Sequence, residues 1–418
     1  MTQHFDVLII GAGPAGLAAA AGAATAGGRI GIVDDNPLAG GQIWRGGPEH
    51  GKDARGAALW GALRNAGNVE FLARTRVLYP SGAQELRAET PAAALTLRYG
   101  RLIIATGARE RLLPFPGWTL PGVTGAGGLQ ALAKGGYPVA GKRIVVAGSG
   151  PLLLAVGATL RERGAHILAI VEQTPLRRLA RFALALPAAP GKLTQALQLR
   201  RQLSGVPYHG GAYIRAAGGD GQLRDVTLQQ GAARRTIECE HLACGYGLIP
   251  NLELAGALGC AMEDGAVAVD GWQQSSVPGT YCAGESTGVG GVDLALAEGR
   301  IAGLATVNAT RQAARHLAER ARWQRFAARL SRAFALRPEL RGLCDDDTIV
   351  CRCEDVRHGE LARHANWRSA KLHTRCGMGA CQGRICGGAA ATLYGWRQDD
   401  IRLPLSPARI ASLLADPE

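Results

Sequence analysis

Cysteine is missing from the first 238 residues, although the chain carries ten further on. That excludes a Cys-x-x-Cys pair, and with it thiol–disulfide exchange, from the whole of that stretch. Aromatic residues are scarce as well: six Phe stand against 59 Gly among 418 residues. A chain so composed favours close backbone approaches over aromatic packing, as chains that wrap nucleotides do. The formal net charge of +13 raises nucleic acid as a partner. The basic residues are spread out and not interleaved with aromatics, which argues against it, and an acidic partner protein or anionic cofactors fit better. No basic leader, apolar core or small-residue cleavage site follows Met1, so a cytoplasmic protein is expected. The longest apolar run, Ile144 to Leu160, is broken by Gly148, Gly150 and Pro151, so no transmembrane segment is expected.

The chain is too long for one ordinary core and suits two or three domains. Val7 to Ile10 reads as a strand, Gly11 to Gly16 as a turn, Leu17 to Ala26 as a helix and Arg29 to Val33 as a second strand. The same order returns at Arg143 to Ala147, Gly148 to Pro151, Leu152 to Gly164 and His166 to Val171. The predicted class is therefore α/β, with two Rossmann-like dinucleotide-binding domains. The expected divisions are 1–115 for the first part of the first nucleotide-binding domain and 116–241 for the second nucleotide-binding domain. A return segment follows at 242–310, a helical linker at 311–344, and a cysteine-bearing domain with its tail at 345–418. In the linker, Leu317, Trp323, Phe326, Leu330 and Phe334 recur at near-helical spacing among arginines.

Gly11-Ala12-Gly13-Pro14-Ala15-Gly16 follows a strand and opens a helix, the context in which such a pattern binds a dinucleotide. Gly11 permits the tight turn, Gly13 lets backbone approach the pyrophosphate, and Gly16 lets the helix pack on the strand. The helix N-terminus supplies N–H donors and a positive dipole. Asp34 ends the second strand and can accept from the adenosine ribose. Three later segments accompany it: Gly40-Gly41-Gln42, Ala105-Thr106-Gly107 and Ala283-Gly284-Glu285. Together they resemble the two-dinucleotide-domain flavoproteins, which implies that these residues line FAD, with Glu285 at the ribityl or pyrophosphate region. NAD in this site is the alternative.

The second fingerprint is flawed. Gly148-Ser149-Gly150 is intact, but Leu153 holds the place of the third glycine. Glu172 ends the next strand and would prefer an unphosphorylated ribose. Bound NAD, another adenine nucleotide and an empty relic remain open for Gly148, Gly150 and Glu172.

Half of the cysteines lie between Cys351 and Cys386. Cys351-Arg352-Cys353 and Cys376-Gly377-Met378-Gly379-Ala380-Cys381 offer two close pairs of thiolates, two sulfurs per iron of a [2Fe-2S] centre. Structural zinc would use the same ligands. The expected set is Cys351, Cys353, Cys376 and Cys381, with Cys386 able to replace Cys376. Lys371, Arg375 and Arg384 either offset cluster charge or are solvated surface. No catalytic residue is expected in this chain.

Ala105 to Arg111, Pro114 to Val123, Gly148 to Leu152 and Thr374 to Gly379 resemble the FAD subunit of multi-subunit amino-acid and opine dehydrogenases. That group includes D-hydroxyproline dehydrogenase, opine oxidases, dye-linked proline dehydrogenases and hydrogen cyanide synthase. The last part of the chain is similar to a small helical [2Fe-2S] domain of the bacterioferritin-associated-ferredoxin type, with a wider second cysteine pair. The resemblance implies that the amine is oxidised in a D-amino-acid-oxidase-like FAD subunit, with a small ferredoxin-like subunit as a further partner. This chain would relay electrons through FAD and the cluster, with D-hydroxyproline the first substrate expected and opines, proline or glycine after it. A self-contained NADH-dependent flavin and iron–sulfur reductase is one rival, and a structural nucleotide-binding subunit with redox-silent cofactors is another.

Overall fold

A computed structural model describes residues 1–47, 53–398 and 401–414. The chain forms two compact units. One comprises Met1–Arg109, Pro250–Ala328 and Asp400–Glu418, the other Glu110–Ile249 and Arg329–Asp399.

The first unit is built on a sheet with the order Val69–Leu72, Ile30–Val33, Thr2–Ile10, Ala94–Ile104, Glu85–Glu89 and Arg76–Gly82. Ala94–Ile104 is long enough to serve two neighbours differently. Its start pairs antiparallel with Glu85–Glu89, and its end runs parallel to both Thr2–Ile10 and Thr280–Cys282. The run Val7 to Ile10 is buried on both faces, which explains why it is continuously apolar instead of alternating. The helix begins at Pro14, earlier than the expected Leu17, because proline at the first helical position brings its φ already set and needs no N–H partner.

A later helix, Val292–Thr306, lies on Pro14–Ala23 at a distance only glycine allows. A Cβ on Gly299 would fall 2.2 Å from the carbonyl oxygen of Ala15, and one on Gly303 would fall 2.0 Å from that of Ala19. The tail also belongs to this unit. Leu405 N donates to Leu78 O at 2.7 Å, Arg409 Nη1 to Pro91 O at 2.8 Å, and Arg87 Nε to Ser412 O at 3.2 Å.

The second unit holds a parallel sheet ordered Tyr208–Gly210, His166–Glu172, Arg143–Gly148, His241–Gly245 and Val123–Thr124. A three-stranded antiparallel sheet, Ala212–Gly218, Asp225–Gln230 and Ala233–Glu238, accompanies it. Leu153 does not prevent the helix Leu152–Glu162 from approaching its strands. The close contact is made one turn later by Gly157, whose Cβ would lie 2.9 Å from Ile170 Cδ1. The cysteine module packs around Val350, Leu361, Trp367, Ala389 and Trp396, with helices Trp367–Thr374 and Cys386–Tyr394. The basic stretch before it forms two helices, Thr310–Ala314 and Leu317–Ala333, and no residue of the longer one is buried. Among the described residues no helix is long and apolar enough to cross a membrane.

Candidate cofactor sites

The four glycine-bearing segments of the first unit meet in one crevice. A Cβ on Gly11 would lie 2.2 Å from the Ala105 carbonyl oxygen, one on Gly41 would lie 3.0 Å from Gly13 Cα, and one on Gly284 would lie 2.8 Å from Ala15 Cβ. Gly40 N donates to Ala12 O at 2.7 Å. Gly16 is closest of all, since its Cβ would sit 1.8 Å from Gly11 O. All but the Gly284 contact, which is with the Ala15 methyl, are with backbone atoms, and none can yield by changing rotamer.

The helix opening at Pro14 has no side-chain cap and no acidic residue in its first turn, which leaves its leading N–H groups for an anion. Asp34 is half-buried; its Oδ2 accepts from Ala12 N at 2.7 Å and its Oδ1 from Asn36 N at 2.9 Å. Glu285 accepts from Gly290 N at 3.1 Å and Gly291 N at 3.0 Å, and burial raises its pKa. Gln42 is exposed and accepts from Arg45 Nη2 at 2.9 Å. An uncapped helix start, an acid at the end of the second strand and a cradle that any Cβ would fill are the features a dinucleotide pyrophosphate requires, so the residues fit FAD.

Two contributors escape a reading of the sequence alone. Asn251 clamps the Ala105-Thr106-Gly107 turn: its Nδ2 donates to Thr106 O at 2.9 Å, its N to Gly107 O at 3.0 Å, and its O accepts from Thr106 Oγ1 at 2.8 Å. Nothing in the sequence ties it to a turn so far away. Glu298 is 2% exposed and accepts from Gly284 N at 2.9 Å and Thr287 Oγ1 at 2.8 Å. A single acid within the Ala- and Leu-rich run Leu294 to Ala302 is the signal that could have found it.

Burial pushes the Glu298 carboxyl up to about 7, with Glu285 adding repulsion and Arg320 opposing it. The folded protein thus holds this proton to about pH 7, whereas the unfolded chain releases it near the ordinary value of 4.5. Stability from this residue is greatest below that lower value and falls as pH rises through about 7, by on the order of 3 kcal/mol. Glu298→Gln should remove this slope. In thermal melts, variant and native protein should differ little at pH 5, and the variant should be the more stable at pH 8.

In the second unit Gly148 is a close-approach position, because its Cβ would lie 1.8 Å from Gly245 O, whereas Gly150 has open space beside it. Glu172 Oε2 accepts from Gly150 N at 2.7 Å and Oε1 from Thr174 N at 2.8 Å.

All five late cysteines converge. The ligating atoms of Cys351, Cys376 and Cys386 lie within 4.8 Å of one another. Cys381 contacts both Cys386 and Cys353 through its thiol. Cys386 is therefore the hub, touching Cys351, Cys376 and Cys381, and Cys353 joins at the exposed edge. Mutual proximity of the thiols divides the group. Cys376 draws the Cys351 thiol down to about 2 and Cys386 draws Cys381 to about 5, while the contact with Cys351 pushes Cys376 up to about 12 and raises Cys386.

Glycine makes the convergence possible. A Cβ on Gly379 would fall 2.2 Å from Cys353 Cβ, and one on Gly377, at φ +81°, would strike the Trp367 ring at 2.5 Å. Arg375 Nε pairs with Glu354 at 2.8 Å, and Arg384 Nη1 donates to Gln382 Oε1 at 2.7 Å, so both arginines are engaged beside the thiols. Lys371 lies within the helix Trp367–Thr374, which Arg375 caps by donating its N–H to the Lys371 carbonyl at 3.0 Å. Three buried thiols, with Cys381 half-buried and Cys353 exposed beside them, are a set of soft donors that suits a thiolate-bound centre, so the residues fit a [2Fe-2S] cluster.

Residues 5–313 match the pyridine nucleotide-disulphide oxidoreductase family. The HcnB subunit of hydrogen cyanide synthase from Pseudomonas aeruginosa is 33% identical over 91% of this chain and 90% of that one. An opine oxidase subunit from Rhizobium meliloti (strain 1021) is 34% identical over 98% of each. Among solved structures, L-proline dehydrogenase from P. horikoshii has a TM-score of 0.71 at 17% identity, covering 99% of this chain and 80% of that chain, a likeness of fold. The crevice in the first unit lies within the matched residues and the cysteine module beyond them, and on that footing the chain belongs to the pyridine nucleotide-disulphide oxidoreductase family as an FAD-dependent oxidoreductase, homologous to HcnB and to the opine oxidase subunit.

Proposed function

We propose that this chain is the FAD-containing electron-transfer subunit of a heteromeric dehydrogenase that oxidises an amino or imino acid. The observation that carries the reading is the pairing of a dinucleotide crevice with a five-thiol group in one chain. Relatives matched over nearly their whole length are named as subunits, which supports a heteromer. When bound, FAD would supply two-electron acceptance and a [2Fe-2S] centre one-electron carriage.

Gly11, Gly13, Pro14, Ala15 and Gly16 would hold the pyrophosphate, with Asp34 on the ribose. Gly41, Gln42, Ala105, Thr106, Gly107, Gly284 and Glu285 would line the rest. Cys351, Cys353 and Cys381 would bind the cluster. The fourth ligand is best assigned to Cys386 in place of the expected Cys376, because Cys386 touches a member of each pair, Cys351 and Cys381.

The partner would be a D-amino-acid-oxidase-like FAD subunit, with D-hydroxyproline the first substrate and opines, proline and glycine next. The test is dye reduction by the complex purified with its partner subunits. Reduction driven by one of these amines is expected, and a complex inert toward all of them, yet loaded with cofactor, would refute the proposal.

A further inference from the structure

The crevice of the second fingerprint faces a stretch of the chain itself. Ser149 Oγ donates to the carbonyl of Phe334 at 3.1 Å. Gln173 Nε2 donates to Ser149 Oγ at 2.9 Å and reaches the carbonyls of Phe334 and Ala335 at 3.4 and 3.3 Å. Its Oε1 accepts from Arg337 N at 3.1 Å. The Phe334 ring meets Phe182 edge-on at 5.3 Å between centroids. Arg337 in turn donates to Gly211 O at 2.9 Å and lies over the Tyr213 ring.

A nucleotide would need these same groups. In a dinucleotide site the middle of the glycine turn and the acid ending the second strand face the ligand. Here Ser149 is spent on Phe334, Glu172 is 1% exposed, and Gln173 and Thr174 are 0% exposed. Asp34 gives the contrast. It too accepts from its glycine turn, at Ala12 N, and from the residue two further on, Asn36 N, yet it stays half-buried.

We infer that the second fingerprint is a binding site for the chain's own Phe334–Arg337 peptide and takes neither NAD nor NADH. The peptide it grips leads through the turn Pro338–Gly342 and the buried Leu340 and Leu343 toward Cys351. A fold that elsewhere holds a dinucleotide here anchors the approach to the cysteine module. Gln173 is the positioning residue: its Nε2 reaches the carbonyls of Phe334 and Ala335 while its Oε1 accepts from Arg337 N, so one side chain holds both ends of the peptide.

The inference is independent of the substrate, and its test differs from the amine assay. The full FAD-loaded chain is titrated with NADH and NAD to millimolar concentration, followed by nucleotide fluorescence, calorimetry and flavin absorbance. Hydrogen exchange is read at the Arg337 amide. No saturable binding, no flavin bleaching by NADH, and a slowly exchanging Arg337 amide that speeds at least tenfold in Gln173→Ala are the expected results. Saturable nucleotide binding, bleaching, or an Arg337 amide that exchanges freely in the unaltered chain overturns the inference. Should Gln173→Ala not fold, the unaltered chain still decides the matter.

Discussion

Cys386→Ser is expected to strip the protein of iron and of visible cluster absorption, from about two irons per chain toward none, while Cys376→Ser retains both. The two positions differ in reach. Cys386 contacts Cys351, Cys376 and Cys381, whereas the thiol contacts of Cys376 are to Cys351 and Cys386 and it is 0% exposed. A centre that takes one pair from Cys351 and Cys353 needs its second pair from residues that touch both ends of the first. Cys381 meets Cys353 and Cys386 meets Cys351. Serine is a poor substitute because its hydroxyl does not become an anionic ligand as a thiol does. Iron and zinc analysis of purified variants, with visible spectra, makes the check. Iron kept by Cys386→Ser and lost by Cys376→Ser would restore the set expected from sequence, and zinc without iron in the native protein would remove the [2Fe-2S] proposal altogether.

Gly16→Ala should cost at least tenfold in FAD retention and about 2 kcal/mol or more of stability, since overpacking a tight contact strains the backbone on both sides. The added carbon would sit 1.8 Å from Gly11 O, so the helix must retreat from the strand and carry its N–H groups with it. Gly13→Ala separates packing from binding. Its Cβ would find no protein atom nearer than Gly41 Cα at 3.9 Å, so the apoprotein should melt like the native one while FAD affinity falls. Flavin content after gel filtration and thermal melts of the stripped protein read the two effects apart. Equal losses of stability in both variants would show that Gly13 serves packing and not the ligand.

The opening βαβ unit was legible because its signals are local: an apolar run, a glycine turn, and proline where a helix can accept it. Its companion segments were legible as small-residue turns, and what joins them is the close approach of backbones, which glycine announces in sequence. The second unit was harder to read. Leu153 breaks the glycine pattern, yet Gly157 supplies the missing clearance one turn on, a compensation visible only once the helix has a fixed rotation. The grip of Ser149 and Gln173 on Phe334 and Arg337 was invisible, since it is made between side chain and main chain across a large separation in sequence. Phe334 read instead as one more apolar position of a helix that in fact stops at Ala333. The cysteines announced a candidate metal site by number and spacing, but spacing could not rank five thiols. That ranking depends on how Gly377 and Gly379 fold the second group over the first.

The tail on the first unit bears on how the protein is made. The ribosome delivers Leu78 long before Leu405, whose N–H donates to its carbonyl. At roughly 5–20 residues per second the interval is on the order of tens of seconds. Throughout it the nascent sheet of the first unit lacks its closing segment, while the entire second unit and all five late cysteines are being translated. Every residue expected to line FAD, from Gly11 to Glu285, is delivered before Cys351, so synthesis along the chain lets flavin capture come before any metal reaches the late cysteines.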